Sequence, residues 1–373
     1  MDALTTPSNW QKVRLGDIGK PCMCKRVMKH QTTRYGEIPF YKIGTFGNTA
    51  DAFISKKLFL EYKTKYSFPK KGDILISASG TIGRAVIYDG KPAYFQDSNI
   101  VWIDNDETLV KNDFLFYAYS NIKWNTEHTT ILRLYNDNFK NTLIPLPPLN
   151  EQIAIANILS DVDRYLCSLD ALILKKESVK KALSFELLSQ RKRLKGFNQA
   201  WQRVRLGDIA NYLTSNLSVE QITQQGKIKV YDVNNFIGYT DTTFISDKPY
   251  ISIVKDGSVG RVRILPPKTN ILSTMGALVA NHKTTTEFLF YLLSNFDFKN
   301  FTSGSIIPHI YFKDYKEKTI FLPPLNEQIA IANILSGVDH EIISLKNKKR
   351  QFENIKKALN HDLMSAKIRV LNK

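Results

Sequence analysis

The chain has 373 residues, of which 43% are hydrophobic and 23% charged, and these proportions are typical of folded rather than disordered protein. This length exceeds what one hydrophobic core usually supports, so we expect more than one domain. The formal net charge of +17 predicts an anionic partner, most commonly nucleic acid. The positive excess is spread along the whole chain, which favours a long polyanion over contact through a single basic arm. A globular protein that is merely basic is the alternative.

Composition also argues against several protein classes. Three cysteines are too few for a disulfide framework, and Cys22, Cys24 and His30 lack a fourth ligand, so we predict neither disulfides nor a metal site. The sequence has no run of 18 apolar residues and no signal-like start. We therefore expect a cytoplasmic protein that does not enter a membrane.

Two segments occur twice with almost no change. WQKVRLGDI at 10–18 returns as WQRVRLGDI at 201–209, and LPPLNEQIAIANILSDVD at 146–163 returns as LPPLNEQIAIANILSGVD at 322–339. The chain is therefore a tandem duplication, whose second copy is fifteen residues shorter between its repeated ends. We place a globular domain at 1–145, a long helix at 146–196, a second globular domain at 197–321 and a second helix at 322–373.

The two globular domains are predicted to be mixed and strand-rich. Segments 38–43, 73–77, 84–88 and 100–103 are short, rich in β-branched or aromatic residues and bounded by turn residues, as strands are. Short helices are predicted over 113–120 and 287–294. Gly80-Thr-Ile-Gly83 and Gly257-Ser-Val-Gly260 are predicted to form tight turns between strands, each followed by an arginine.

Candidate ligand-binding residues lie in three kinds of segment, and each kind could equally be a solvated loop or turn. The stretch 24–34 carries Lys25, Arg26, Lys29 and Arg34, whereas the matching 213–226 has no cation. Residues in or beside the glycine turns could contact phosphates, and these are Ser79, Thr81, Arg84, Lys255, Ser258 and Arg261. Polar residues in other loops could bind base edges, and these are Gln96, Asn99, Asn234, Asn235, Ser305 and His309.

Each LPPLNEQ segment predicts the start of a long helix, with Asn150 or Asn326 as the N-cap. Residues 191–195 are basic and precede Gly196, which predicts the end of the first helix there. Along both helices, residues at alternating steps of three and four form a heptad seam. Its positions are Leu159, Val162, Leu166, Leu169, Ile173, Lys176, Lys180, Leu183 and Leu187 in the first helix, and Leu335, Val338, Ile342, Leu345, Lys349, Phe352, Lys356, Leu359 and Leu363 in the second.

A helix this long needs an apolar partner to pack against, and the duplication supplies a second long helix as that partner. The heptads leave a parallel or an antiparallel pair open, but the short link from Gly196 to Ala200 favours the antiparallel pair. We therefore expect an α+β fold in which two strand-rich domains alternate with two helices that form an antiparallel coiled coil with pseudo-two-fold symmetry. The lysines within the seam are predicted to fix its register or to reach solvent at an open face.

Common catalytic motifs are missing from the sequence. It contains no G-x-x-x-x-G-K-[ST] phosphate loop, no G-x-S-x-G nucleophile elbow and no H-E-x-x-H metal motif. The Pro-Pro motif of amino-methyltransferases is also absent. We therefore expect no catalysis by this chain alone.

The sequence resembles the specificity subunits of type I restriction-modification systems over nearly its whole length. The resemblance rests on W-x-x-x-x-L-G-D-I at Trp10 and Trp201, on G-D-I-L-I-S and G-T-I-G within 72–83, and on the doubled L-P-P-L-N-E-Q. It implies that each globular domain is a target recognition domain for half of an asymmetric, bipartite site in double-stranded DNA, and that the helices set the gap. The second copy departs from G-D-I-L-I-S, with YISIVK at 250–255.

The resemblance also implies partners. Two modification subunits, which are methyltransferases, are expected to dock on the helices and to hold S-adenosylmethionine, and restriction subunits with translocase and endonuclease activity are expected to join them. The spacer and docking residues are Leu159, Val162, Leu166, Leu169, Leu335, Val338, Ile342 and Leu345. A structural coiled-coil adaptor that binds proteins rather than DNA is the alternative from another functional class.

Overall fold

The computed structural model describes residues 9–128, 132–304 and 306–370. Internal contacts divide the chain into a first unit, Met1–Leu169 with Lys348–Lys373, and a second unit, Asp170–Asn347. Each unit therefore contains a strand-rich part and segments of both long helices. The domain boundaries drawn from the sequence follow the repeats instead and stay a prediction.

The first unit contains eleven strands within its described residues. They are β1 (Gln11–Arg14), β2 (Gly19–Met23), β3 (Ile38–Tyr41), β4 (Phe53–Ile54), β5 (Ile74–Ser77), β6 (Ala85–Ile87), β7 (Tyr94–Phe95), β8 (Ile100–Asn105), β9 (Glu127–His128), β10 (Leu132–Arg133) and β11 (Leu143–Leu146). The four strands predicted from the sequence are confirmed as β3, β5, β6 and β8.

The second unit repeats this pattern. Its strands are β12 (Gln202–Arg205), β13 (Ala210–Thr214), β14 (Ile228–Tyr231), β15 (Phe236–Thr240), β16 (Tyr250–Val254), β17 (Val262–Leu265), β18 (Asn270–Ile271), β19 (Met275–Ala280) and β20 (Thr319–Leu322). The α-helices in the described part of the chain are α1 (Leu15–Ile18), α2 (Lys56–Lys65), α3 (Asn112–Tyr119), α4 (Asn136–Lys140), α5 (Leu149–Leu188), α6 (Thr286–Ser294), α7 (Phe312–Tyr315) and α8 (Leu325–Met364). The two predicted short helices are confirmed as α3 and α6.

The main sheets have the same topology in both units, and the first unit has an additional two-stranded sheet, β10-β9. A four-stranded antiparallel sheet has the order β2-β8-β5-β6 in the first unit and β13-β19-β16-β17 in the second. A three-stranded sheet, β4-β3-β7 or β15-β14-β18, contains one parallel pair. The two repeated ends of each copy pair directly, because β1 runs antiparallel to β11 and β12 to β20.

Apolar residues of the central strands explain where the cores form. All four residues of β5 and all five of β16 are buried, as expected for strands covered on both faces. In the first unit one core lies around Ile76, Phe114 and Leu159, and a second one around Phe40 and Trp102. The second unit has the corresponding cores around Ile253 and Phe288 and around Tyr250 and Met275.

Within each unit the two helix segments run antiparallel. In the first unit Lys356 contacts Asp163 at 2.5 Å, and the rings of Phe352 and Tyr165 lie 4.6 Å apart, so residue numbers rise on one helix as they fall on the other. The predicted antiparallel pairing is confirmed in this unit.

The second unit shows the same direction. Lys180 lies 2.5 Å from Asp339, and Lys176 pairs with Glu341. Every predicted seam side chain of α5 and α8 is buried or half-buried. The lysines at 176, 180 and 356 form ion pairs with the facing helix, and their role in fixing the register stays a prediction.

The predicted helix ends were wrong by a few residues. Asn150 is not the N-cap: the first helical bond runs from Gln152 N to the carbonyl of Pro148, and the Asn150 side chain accepts from Glu151 N within the first turn. Asn326 does the same for Glu327. A proline can take the capping position because it has no N–H group to satisfy.

The first long helix also ends before Gly196. It stops at Leu188, and Gln190 adopts the left-handed conformation with φ of 62°. Ala366 does so after α8, with φ of 55°. Gly196, with φ of 92°, belongs to the loop that follows. Among the described residues, no helix is long and apolar enough to cross a membrane.

Candidate nucleic-acid interface

The two glycine turns connect β5 to β6 and β16 to β17 and pack against aromatic rings. The second glycine of each turn has a positive φ, 82° at Gly83 and 79° at Gly260. A Cβ atom at Gly83 would overlap the indole of Trp124, and one at Gly260 would lie 2.6 Å from the ring of Phe298. These glycines are therefore required for packing, whatever the turns bind.

The backbone N–H groups of these turns are largely occupied. Gly83 N donates to Ser77 O at 2.9 Å, and Gly260 N donates to Val254 O at 3.0 Å. The turns therefore do not present these donors to a phosphate. Four side chains that were predicted to contact phosphates are exposed in or beside these turns, and they are Thr81, Arg84, Ser258 and Arg261. The guanidinium of Arg84 lies 3.4 Å from the carbonyl of Gly47 and from the side chain of Asn48.

In the first unit, a cleft of about 460 Å³ gathers four predicted residues, which we call the first cleft. They are Arg26, Lys29, Gln96 and Asn99. Asp97, which lies within the same polar loop as Gln96 and Asn99, also lines it. Lys42 and Arg133 line it too, and neither was predicted because they come from other segments of the chain. The structure thus unites two predicted cations with two predicted amides that lie 67 to 73 residues away in the sequence.

Hydrogen bonds hold the polar groups of the first cleft in place. Arg26 donates to Asp97 at 2.8 Å. Gln96 accepts at Oε1 from the backbone N–H of Ile43 at 3.0 Å, and Asn99 accepts at Oδ1 from the hydroxyl of Ser79 at 2.7 Å. Because Ser79 is only 6% exposed, it positions Asn99 rather than reaching a ligand itself.

Two predicted cations lie outside the first cleft. Lys25 is exposed, and its ammonium group sits 5.1 Å from the centre of the Tyr66 ring. Arg34 is also exposed, and it follows the one-turn 3-10 helix at Lys29–Gln31. Both residues stay candidates for a contact with the phosphate backbone.

In the second unit, a cleft of about 650 Å³ contains Lys255 and His309, and we call it the second cleft. The Asp256 carboxylate accepts a hydrogen bond from the ring Nδ1 of His309 at 2.6 Å. Burial raises the pKa of Tyr212, which lines the same cleft, and the negative charge of Asp256 adds to that shift. Further lining residues that the sequence did not single out are Tyr311, Lys313 and Lys316.

The remaining predicted residues of the second unit lie elsewhere. Asn234 and Asn235 are exposed in the connection from β14 to β15, where their backbone N–H groups donate to Asp232 at 2.8 and 2.6 Å. Their side chains are outside the second cleft. Ser305 lies outside the described residues.

The two clefts contain the same backbone arrangement. In the first unit, Ser79 forms an antiparallel bridge with Arg133. In the second unit, Asp256 forms the equivalent bridge with His309. The adjacent bond is also shared, because Leu134 N donates to Ala78 O and Ile310 N donates to Lys255 O, each at 2.9 Å. One backbone frame therefore carries different polar side chains in the two units.

The repeated ends of the sequence form a second, buried arrangement. Glu151 is only 4% exposed; its carboxylate accepts from the indole of Trp10 at 3.0 Å and from Arg369 at 2.6 Å. In the second unit Glu327 accepts from Trp201 at 3.0 Å and from Arg193 at 2.7 Å. We call each three-residue set a carboxylate clamp.

The clamps and the neighbouring glutamines explain why LPPLNEQ is repeated. Gln152 is fully buried and bonds the backbone of Lys111 at 2.8 Å and of Pro147 at 2.9 Å. Burial raises the pKa of Glu151, but the hydrogen bonds from Trp10 and Arg369 outweigh this effect, so the net pKa lies below its ordinary value. The repeated residues thus stabilise each unit.

Among the described residues, no group of three or more His, Cys, Asp or Glu side chains could hold a metal ion. Cys24 is buried, and desolvation raises the pKa of its thiol to about 12. Neither observation points to chemistry at the thiols.

Comparison with known proteins identifies the family. The model of the type I restriction modification DNA specificity domain matches residues 7–176 and again 198–354. The chain belongs to the type I restriction modification DNA specificity family. Both copies of the repeat are thus specificity domains, and the resemblance seen in the sequence is confirmed.

Individual relatives agree with this assignment. A putative type I restriction enzyme specificity subunit of Haemophilus influenzae is 64% identical over 148 residues, which are 39% of this chain and 38% of that relative. The MjaVIII specificity subunit of Methanocaldococcus jannaschii is 26% identical over 100% of this chain and 96% of its own length.

Solved structures show the same fold. The crystal structure of the S subunit of a type I restriction-modification system from M. genitalium has a TM-score of 0.62 at 20% identity and covers 98% of this chain and 99% of its own. A chain from a structural study of the assembly and conformational transition of the type I system has a TM-score of 0.57 at 15% identity, covering 96% and 98%. The predicted fold class of tandem strand-rich domains and long paired helices is confirmed.

Proposed function

We propose that this chain selects the DNA sequence on which a type I restriction-modification complex acts, and that each unit reads one half of a bipartite, asymmetric site in double-stranded DNA. Family membership supports the specificity role. The two-part reading is supported by the shared backbone frame, which presents Ser79 and Arg133 in one unit but Asp256 and His309 in the other. Two different side-chain sets on one frame suit two different half-sites.

Electrostatics supports contact with a long polyanion. The net charge is +17, and each cleft is lined by several cations. Lysines and arginines that neutralise phosphates provide affinity that is independent of sequence and falls with salt, while polar groups at base edges provide specificity. The clefts contain both kinds of group.

The partner subunits are part of the proposal. Two modification subunits, methyltransferases that hold S-adenosylmethionine, would dock on the helices, and restriction subunits would complete the complex. Large apolar side chains on α5 and α8 are exposed, among them Leu174 and Ile355. Such residues fit a docking surface for another protein. The chain itself would be non-catalytic, with its helices setting the unread gap between the half-sites.

The test is methylome sequencing of cells that express the complex with this chain. We expect methylation at one asymmetric two-part sequence. Insertion of seven residues into both α5 and α8 should lengthen the unread gap and leave both half-sites unchanged, because a whole heptad preserves the seam. Altered half-sites at constant gap would contradict the proposal. An assembled complex whose behaviour depends on neither DNA nor salt would favour the protein-binding adaptor instead.

A further inference from the structure

The position shared by Arg133 and His309 is suited to determining base preference. Each residue lies opposite the residue that precedes the glycine turn of its own unit, and each lines a cleft that is open to solvent. The backbone at this position is fixed by the neighbouring hydrogen bonds of Leu134 and Ile310. Arg133 and His309 therefore occupy the same backbone position but carry different side chains. A role of this position in base preference rests on the proposed function of the clefts.

The first cleft presents mainly hydrogen-bond donors. A guanidinium has five N–H donors and no acceptor, and Arg133 lines the cleft from a backbone position fixed by its bridge to Ser79. The carbonyl oxygens of Gln96 and Asn99 are already engaged by Ile43 N and by Ser79, which leaves their NH₂ groups available. The nearby carboxylate, Asp97, is paired with Arg26 through Oδ2 at 2.8 Å, and the donors that line the cleft outnumber the acceptor that its other oxygen provides.

The second cleft presents acceptors at the same place. The ring of His309 faces the Asp256 carboxylate through Nδ1 at 2.6 Å. A carboxylate can only accept, so Nδ1 carries the hydrogen. The second oxygen of Asp256 forms no hydrogen bond with another described residue. Lys255 and Lys313 add charge, which suits phosphates rather than base selection.

Base edges in the major groove differ in whether they present hydrogen-bond donors or acceptors. Guanine presents two acceptors, O6 and N7, whereas cytosine and adenine present an exocyclic amino donor. Arginine binds the guanine edge with two hydrogen bonds, and carboxylates accept from the cytosine amino group. Lysine can also donate to O6 and N7, but its ammonium group lacks the planar fork of arginine, so an exchange of arginine for lysine weakens such a contact.

We propose that Arg133 selects guanine within the half-site of the first unit, with Asn99 and Gln96 as further donors. We propose by the same argument that the Asp256–His309 pair selects a base with a major-groove amino group, cytosine or adenine, within the half-site of the second unit. The two units thus differ in hydrogen-bond polarity at one equivalent position.

The experiment uses the full chain in complex with its methyltransferase subunits, and selects bound sequences from a randomised DNA duplex library. Variants in the first unit are Arg133→Ala and Arg133→Lys, with Lys29→Ala as the matched control because it removes a cation from the same cleft. Variants in the second unit are Asp256→Asn and His309→Ala. Circular dichroism of each variant checks folding, and Arg133→Lys keeps the test informative if Arg133→Ala is unstable.

Arg133→Ala should reduce the preference for guanine at one position of one half-site by roughly 5- to 150-fold, the range for loss of one bidentate base contact, and Arg133→Lys should reduce it by a smaller factor because its ammonium group can still donate to guanine. Lys29→Ala should weaken binding to all sequences alike. The second-unit variants should relax a cytosine or adenine in the other half-site only. Unchanged base preferences in folded Arg133 variants would overturn this inference while the proposed function stands. Failure of the unmodified complex to select any two-part sequence would overturn the proposed function itself.

Discussion

Replacing Glu151 by Gln tests the carboxylate clamp of the first unit. The substitution keeps the shape and one carbonyl oxygen, so the indole of Trp10 can still donate, but it removes the charge that Arg369 contacts at 2.6 Å. Breaking a buried ion pair by removing one partner costs about 3–5 kcal/mol, because the other charge stays desolvated. The Arg369 side chain is 29% exposed, so water replaces part of the lost interaction. We therefore expect a loss of about 2–3 kcal/mol in the free energy of unfolding.

The assay is urea denaturation of the full chain, followed by circular dichroism. For a slope of about 1–3 kcal/mol per molar urea, the transition of the first unit should shift down by roughly 0.7–3 M. Glu186→Gln is the control, because Glu186 is half-exposed and its lysine partner lies 4.0 Å away. The control should change stability by less than about 0.5 kcal/mol. A double-mutant cycle with Arg369→Gln isolates the pair, and additive effects would refute a direct interaction.

The stability difference between the unmodified chain and Glu151→Gln should depend on pH. The pKa of Glu151 is lowered in the folded state, so its contribution is present above its unfolded pKa, near the ordinary value of 4.5, and is lost as pH falls through the folded pKa. The difference in stability between the unmodified chain and Glu151→Gln should therefore be constant from about pH 5 upward and shrink in more acidic solution. A difference that grew on acidification would refute the reasoning.

The remaining predictions concern glycine and cysteine positions. Gly260→Ala should cost about 3 kcal/mol or more in unfolding free energy, because its methyl group meets the Phe298 ring at 2.6 Å, whereas Gly257→Ala in the same turn has open space and should cost only about 1–2 kcal/mol for its positive φ. Equal losses in urea denaturation would exclude the packing role. Gly337→Ala should stabilise the chain by about 0.5–1 kcal/mol, since Gly337 lies exposed within α8 with open space around it. A thiol reagent at neutral pH should label Cys167, which is exposed, well before Cys24, whose pKa is about 12, and equal rates by mass spectrometry would contradict the buried position of Cys24.

Periodic features of the fold were predictable from the sequence. The heptad seam was found because its positions repeat at helical spacing, and each of those side chains is buried or half-buried. Strands such as β5 and β8 were found from short apolar runs between turn residues. The helix start at Leu149 was missed because an asparagine after two prolines is a stronger N-cap signal than proline itself.

The polar site was only partly predictable because it depends on contacts between distant segments. Gln96 and Asn99 were chosen as polar loop residues, but which of their atoms is available depends on Ile43 and Ser79. Arg133 follows a segment with no motif, and only its bridge to Ser79 brings it beside Asn99. A sequence gives the hydrogen-bonding capacity of each side chain, whereas the fold decides which part of that capacity is already used.

The two clamps explain how a tandem duplication produces two complete units. Trp10 and Glu151 belong to the first copy of the repeat, yet their arginine, Arg369, comes from the end of the second copy. Trp201 and Glu327 of the second copy are in turn completed by Arg193 from the end of the first. Neither copy therefore contains all the residues of its own clamp, and the ends of the repeat must keep the complementary residues in both copies. The clefts have no such reciprocal requirement, because Ser79 meets Arg133, and Asp256 meets His309, within a single copy. This difference gives a physical reason why the ends of the two copies stayed nearly identical while their middles diverged.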